Sequence, residues 1–164
     1  VVYYEVVGYE RPGKPIMQIA DTSLMKDKEF TKQYGKFMPF KYGCIDGQFK
    51  IFVYRIAYVT TEGFVIDLLW EDVKKRCIEL GVNYVSEICP AFIYDGNVEK
   101  LRELVENNSD GPDLIDNSHV REGICLRVDK NLNLEIYKNK GWSFRVLEGI
   151  IKNDDNYIDK EEVS

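Results

Sequence analysis

The residues Val1–Tyr9 are β-branched or aromatic at almost every position, and one carboxylate, Glu5, interrupts them. A run of this kind favours an extended strand, and Arg11-Pro12-Gly13-Lys14 supplies the turn that ends it. Successive strand side chains point to opposite faces. Apolar residues on both parities therefore predict a strand covered on both sides. Glu5, between Tyr3 and Val7 on one face, becomes a carboxylate set into an apolar layer. Withdrawing it from water costs several kcal/mol unless something compensates. An edge position, an ion pair or a bound ligand would each serve. The sequence opens without Met, inside this apolar run, and the expectation is a fragment of a longer protein.

The rest of the chain alternates strand and helix signals. Gln48–Thr60 predicts a second strand, closed by Thr61-Glu62-Gly63, and Phe64–Leu68 pairs back as a hairpin. Trp70–Leu80 has helical spacing, with Val73, Cys77 and Leu80 on one stripe and Gly81 as a stop. Asn97 caps a second helix running to about Glu106. A final hairpin joins Glu122–Val128 to Leu132–Lys140 through Asp129-Lys130-Asn131. Pro15–Tyr42 shows no clean period and predicts a loop-rich excursion. The polar, acidic end, Asn153–Ser164, predicts a frayed tail. The fold class is α+β with antiparallel strands dominating, one unit over residues 1–150 and a tail over 151–164.

Composition narrows the partners. With 45% hydrophobic residues, the 164-residue chain can build one core. Its net charge of −6 argues against nucleic acid held by a broad basic surface. Any RNA contact must be local or made by another part. Cys44, Cys77, Cys89 and Cys125 form no CxxC pair, and only His119 could join them in a zinc site, so reduced thiols in a cytoplasmic protein are expected. No stretch resembles a membrane span, and protein partners are not readable.

The last hairpin repeats the oddity of Glu5. Alternation places Glu122, Ile124, Leu126 and Val128 on one side of the first strand. On the second, Lys138 and Lys140 continue the side of Leu134 and Ile136. Two ammonium groups two residues apart are separated by about 7 Å at the backbone. At an effective dielectric near 20 they repel by about 2 kcal/mol. A strand emerging into water relieves that repulsion, and a bound phosphate reverses it.

Four segments, in order, resemble the nucleotidyltransferase motifs of the ATP-dependent RNA ligases, especially the RNA ligase 2-like branch of phages and bacteria. Tyr4-Glu5-Val6-Val7-Gly8 is similar to the motif whose glutamate lies near the ribose. Phe52-Val53-Tyr54-Arg55-Ile56 resembles the motif whose aromatic stacks on adenine. Glu122-Gly123-Ile124-Cys125-Leu126-Arg127 resembles the EGxxx motif that ends in Lys or Arg, and Ile136-Tyr137-Lys138-Asn139-Lys140 the motif with two lysines around one residue. The resemblance covers residues 1–148. It implies part of an antiparallel-sheet nucleotidyltransferase, the ATP-grasp-like adenylation fold of DNA and RNA ligases.

The activity it implies has three steps: a lysine takes AMP from ATP, AMP passes to an RNA 5′-phosphate, and a 3′-hydroxyl displaces AMP. Positioning and charge neutralisation dominate such displacements. By resemblance, Lys138 and Lys140 stabilise the α-phosphate, and Glu122 helps hold Mg²⁺. Glu5 accepts from a ribose hydroxyl, Tyr54 lies against the purine, and Arg127 contacts the nucleotide. Arg127 falls on the opposite parity from Glu122, so twist or a bulge must aim both at one ligand. Glu5, Tyr54, Glu122, Lys138 and Lys140 are expected on one concave face.

One motif departs from the family. Its nucleophilic lysine opens a KxxG motif well upstream of the glutamate strand, yet only four residues precede Glu5. Cys44-Ile45-Asp46-Gly47 has Cys in place of Lys and follows that strand, which marks it as a turn before Gln48. The chain alone is therefore expected to be inactive in self-adenylylation. A nucleotide-binding pseudo-enzyme and a DNA ligase or capping-type nucleotidyltransferase are the alternatives. His119 predicts a local hydrogen bond in a loop, and Trp142 and Phe144 fit either core or surface.

Overall fold

The computed structural model describes residues 1–130 and 133–152. Residues 131–132 and 153–164, on which the expectations of a hairpin turn and a frayed tail fall, lie outside the described residues. In chain order the elements are β1 (Val2–Arg11), β2 (Lys14–Pro15), β3 (Ala20–Asp21), a 3-10 turn (Thr22–Met25), α1 (Lys28–Tyr34), β4 (Phe37–Met38), β5 (Phe49–Val59) and β6 (Val65–Asp67). Then come α2 (Trp70–Leu80), β7 (Asn83–Tyr84), α3 (Val98–Ser109), β8 (Gly123–Lys130), β9 (Asn133–Lys140) and α4 (Trp142–Leu147). The main sheet runs β2-β1-β5-β6, with β7 added parallel to β5. β3 pairs with β4, and β8 with β9. The result is a mixed α and β structure built largely on antiparallel pairs. No helix among the described residues is long and apolar enough to cross a membrane.

Local signals account for much of this. The β5–β6 hairpin forms where the strand pattern predicts it, with Ala57 opposite Asp67. α2 starts and stops at the predicted residues, and Gly81 closes it in the left-handed conformation, donating to the Cys77 and Ile78 carbonyls. Asn97 caps α3 by accepting from the Lys100 N–H. Helix α1 occupies a segment expected to be irregular. Asp27 caps it through the Glu29 and Phe30 amides, and Phe30 and Tyr34 then reach the core. Cys44–Gly47 is the turn that its sequence predicts. Gln48 donates to the Ile45 carbonyl, and Asp46 Oδ1 accepts from the Gly13 N–H at 2.7 Å.

Two apolar clusters hold the elements. One gathers Met25, Met38, Phe40, Tyr42, Val120, Phe144, Val146 and Leu147, so that α4 seats against the β3–β4 region. The other packs Val73 and Cys77 of α2 against Val53 and Ile56 of β5. Each fully buried side chain of this size contributes about 1.5–3 kcal/mol. Leu80 extends the α2 stripe in sequence, but it lies past the sheet and is exposed. Phe144 is core, whereas Trp142 stays half-exposed.

The expectation that β1 is covered on both faces is corrected. Val2, Tyr4, Glu5 and Val6 are all exposed. β2 pairs only with the Tyr9–Arg11 end of β1, and no helix covers the Tyr4 and Val6 positions fully. Glu5 is therefore solvated and needs no partner to be tolerated.

Candidate functional site

Residues directly opposite in an antiparallel pair share a face. Glu5 is opposite Phe52, and Val7 is opposite Lys50, so these four side chains lie together. Val7 packs on the larger core cluster, which fixes the orientation of that face. Between Tyr3 and Tyr4 the register slips, because Tyr3 pairs with Arg55 but Tyr4 pairs with Val53. Tyr54 is the extra residue of this β-bulge, a device that re-aims a side chain and leaves its backbone outside the ladder. Its ring lies 6.4 Å from that of Tyr3.

The freed Tyr54 carbonyl has a partner. Arg127 donates to it at 3.1 Å, to the Leu68 carbonyl at 2.8 Å and to Asp129 Oδ1 at 2.7 Å, and its guanidinium lies over the Trp70 ring. Asp129 in turn accepts from the Trp70 N–H, capping α2, whose own Leu69 offers no cap. Arg127, for which the resemblance implies a nucleotide contact, thus has a structural partner at each guanidinium nitrogen, and these hydrogen bonds fasten the hairpin to the β5–β6 region.

The hairpin register also revises the lysine face. Lys138 is opposite Cys125, Lys140 opposite Gly123 and Ile136 opposite Arg127. The lysines therefore share a side with Cys125 and Arg127, not with Ile124 and Leu126. Strict alternation would leave Glu122 on the other side. Glu122 lies just before β8, however, and Gly123 interrupts regular strand geometry between it and Ile124. Gly123 has φ +149°, and a Cβ there would meet the Asn139 carbonyl oxygen at 2.1 Å. No other residue fits so close to the β9 backbone.

Electrostatics show which groups converge. Burial raises the Cys125 thiol pKa, Lys138 opposes that shift, and Glu122 and Glu5 reinforce it. The thiol's surface is exposed, yet the protein packed around it is dense enough for burial to dominate. Burial also pushes the Tyr42 phenol far above its ordinary value. The charge and hydrogen bond of Glu122 come next, followed by Asp113 and Glu5. Tyr42 donates to Glu122 Oε1 at 2.6 Å. Glu5, Glu122, Lys138, Cys125 and Tyr42 thus form one neighbourhood drawn from β1, the β8–β9 hairpin and the segment before β5.

The group is unevenly paired. Lys138 and Glu5 make no hydrogen bond or ion pair among the described residues, and Glu122 Oε2 accepts no hydrogen bond. Lys140 is already matched, because it donates to Glu148 Oε2 at 2.6 Å and lies over the Phe144 ring. Lys140 and Tyr54 are not drawn into the neighbourhood by any such interaction. His119 is wholly buried. Its Nδ1 faces the Val120 carbonyl at 2.9 Å, and its Nε2 accepts from the Tyr42 N–H at 3.3 Å. That is a structural histidine, as its sequence context suggests.

Among the described residues no group of three or more His, Cys, Asp or Glu side chains could hold a metal ion. A shallow depression of about 380 Å³ along α2 is lined by Glu71, Lys74, Lys75, Ile78, Glu79 and Tyr84. Lys74 there is neutralised by Glu71 and Glu87.

Tyr42 and Cys125 were not legible as site residues. Tyr42 sits 80 positions from Glu122 in a segment without periodicity, and nothing in its neighbours marks it. No family model, no curated protein and no solved structure matches the chain.

Proposed function

We propose that this chain is the adenylate-holding part of an RNA ligase nucleotidyltransferase, with Mg²⁺-ATP as its ligand and RNA 5′-phosphate and 3′-hydroxyl ends as the substrates of strand joining. The observation that carries the reading is that Lys138, Glu122 and Glu5 all act electrostatically on Cys125, while Lys138 and Glu5 make no ion pair among the described residues. The motif resemblance independently assigns those three residues to one nucleotide. A lone ammonium neutralises charge building on a phosphate. Glu5, on the face shared with Phe52, accepts from a ribose hydroxyl. Glu122, whose Oε1 accepts from Tyr42, would help hold the Mg²⁺, which would supply further charge neutralisation at the phosphates. Lys140 contributes only if it exchanges Glu148 for phosphate.

Strand joining on this reading requires a nucleophilic lysine from outside these 164 residues. The second reading is a nucleotide-binding module without chemistry, and a KxxG lysine upstream in the full-length protein would decide for the enzyme. Calorimetric titration with Mg²⁺-ATP tests both. Saturable binding is expected, with Lys138→Ala and Glu5→Gln each weakening it about tenfold, near 1.4 kcal/mol. Binding of GTP in preference to ATP moves the assignment to a capping-type enzyme. No saturable binding, or variants that bind like the wild type, overturns it. Covalent protein label from α-labelled ATP that survives alkali and is released by acid, as a phosphoramidate is, would locate a nucleophilic lysine within this chain and refute the separation of lysine from pocket.

A further inference from the structure

β1 is paired along one edge and open along most of the other. Val1 exchanges both backbone hydrogen bonds with Ala57, at 2.7 and 2.9 Å, and the Tyr9 N–H donates to the Gln48 carbonyl at 2.8 Å. Backbone groups of an antiparallel strand turn alternately to its two edges. The odd residues of β1 therefore bond towards β5, and the even residues face the opposite edge. Gly8 follows this order, since its carbonyl accepts from the Ile16 N–H just after β2. The extra residue of the bulge is Tyr54 of β5, so alternation along β1 is unbroken. β2 pairs only with Tyr9 and Arg11. Val2, Tyr4 and Val6 thus turn their N–H and C=O groups to an edge that no other described strand covers.

The side chains along this edge are as open as the backbone. Val2 is 46% exposed, Tyr4 50% and Val6 38%. Val2 lies opposite Ile56 and Tyr4 opposite Val53, so the stripe continues the face that packs on α2. Soluble proteins blunt such edges with lysine, proline or a covering helix. From Val2 to Gly8, β1 has neither residue, and its one charge is Glu5. Unpaired ladder groups beside β-branched and aromatic side chains match one kind of partner, another extended strand.

We infer that this edge joins two copies of the chain, β1 pairing antiparallel with β1 of the second copy about a two-fold axis at Tyr4. Self-complementarity selects both the partner and the register. With the axis at Tyr4, Val2 meets Val6 of the second copy and Tyr4 meets Tyr4, so every outward N–H and C=O of the three residues is matched. The two apolar stripes then lie side by side on the α2 face. On the other face Glu5, which has no ion pair in one copy, falls opposite Tyr3 of the second, whose ring carries the Arg55 guanidinium at 4.5 Å. An axis at Glu5 would set two carboxylates opposite each other, and an axis at Tyr3 leaves the Val6 groups unmatched. The paired stretch ends at Val7, where Ile16 takes up Gly8, so β2 does not obstruct it. An interface this short falls below the ~1,200 Å² of a standard one, which sets a weak affinity, with a dissociation constant of order 0.1 mM.

Sedimentation equilibrium of the 164-residue chain is expected to show a reversible monomer–dimer equilibrium. Tyr4→Lys sets two ammonium groups across the axis, on Cα atoms about 5.5 Å apart, and should weaken dimerisation about tenfold or more. Ile93→Lys charges an almost fully exposed apolar residue elsewhere and should leave dimerisation unchanged. Register is read by cross-linking in a Cys89→Ser, Cys125→Ser background, which removes the exposed thiols. A short bis-maleimide should join two Tyr4→Cys chains, and should join Val2→Cys to Val6→Cys in preference to either with itself. Melting followed by circular dichroism checks that each variant is folded, and the cross-linking keeps the pairing testable if Tyr4→Lys is not. Five results each overturn the pairing: a chain that stays monomeric to about 1 mM, assembly beyond the dimer, Tyr4→Lys dimerising like wild type, Ile93→Lys weakening it as much, or Val6→Cys joining mainly to itself.

Discussion

Arg127→Ala separates the role the sequence resemblance implies from the role the fold gives. Its guanidinium makes three hydrogen bonds, to the Tyr54 and Leu68 carbonyls and to Asp129, and its side chain is only 16% exposed. Hydrogen bonds from a charged donor contribute about 1.5–3 kcal/mol each. Water entering the vacated space recovers part of this, and the contact with Trp70 adds about 0.5–1 kcal/mol. A net loss of about 3–4 kcal/mol follows, since the variant also frees Asp129, the cap of α2. For a chain of this length, 1 kcal/mol shifts the melting temperature by about 2–4 °C, so a fall of about 10 °C is expected. Urea unfolding followed by circular dichroism measures the free energy, and calorimetry the temperature. Arg127→Lys should recover little, because one ammonium cannot span two carbonyls and a carboxylate as a planar fork does. A loss below about 1 kcal/mol, or unchanged stability with ATP binding abolished, would refute the clamp and return Arg127 to the nucleotide.

Gly123→Ala should destabilise by more than about 2 kcal/mol, since its Cβ meets the Asn139 carbonyl and φ +149° is strained for alanine; unfolding midpoints within 0.5 kcal/mol of wild type would contradict this. Burial pushes the Asp116 carboxyl up, but hydrogen bonds from Ser118 and the Gly43 N–H outweigh it and leave its pKa below the ordinary value. Its stabilisation is thus fully present above the unfolded-state value of about 3.9 and is lost as pH falls through the lower folded value. Asp116→Asn should therefore lower stability at pH 7 and flatten its decline below about pH 4, and an unchanged acid limb would count against it. Cys89 and Cys125 are the exposed thiols. In a Cys89→Ser background, Mg²⁺-ATP should slow maleimide labelling of Cys125 several-fold, and equal rates with and without nucleotide would place the ligand elsewhere.

Elements whose causes lie within a few residues could be read directly. The hairpin β5–β6, helix α2 with its Gly81 stop, helix α3 with its Asn97 cap and the turn at Cys44–Gly47 each carry period, cap and breaker in one short stretch. The hairpin β8–β9 followed from its two runs, and its register decided more than its existence. A shift of one residue exchanges the faces of a strand, so only the observed pairing puts Lys138 with Cys125 and Arg127. Helix α4 escaped notice because its cap is Asp110, more than 30 residues earlier, accepting from the Trp142 and Ser143 amides. The burial of β1 was misjudged for a related reason. Composition states what a strand can tolerate, whereas neighbours decide what covers it, and Val2, Tyr4 and Val6 have few. The charges Glu5, Glu122 and Lys138 were visible as residues out of place in apolar patterns. Tyr42 was not, because a hydrogen bond spanning 80 positions leaves no trace in local order and exists only once the chain has closed that loop.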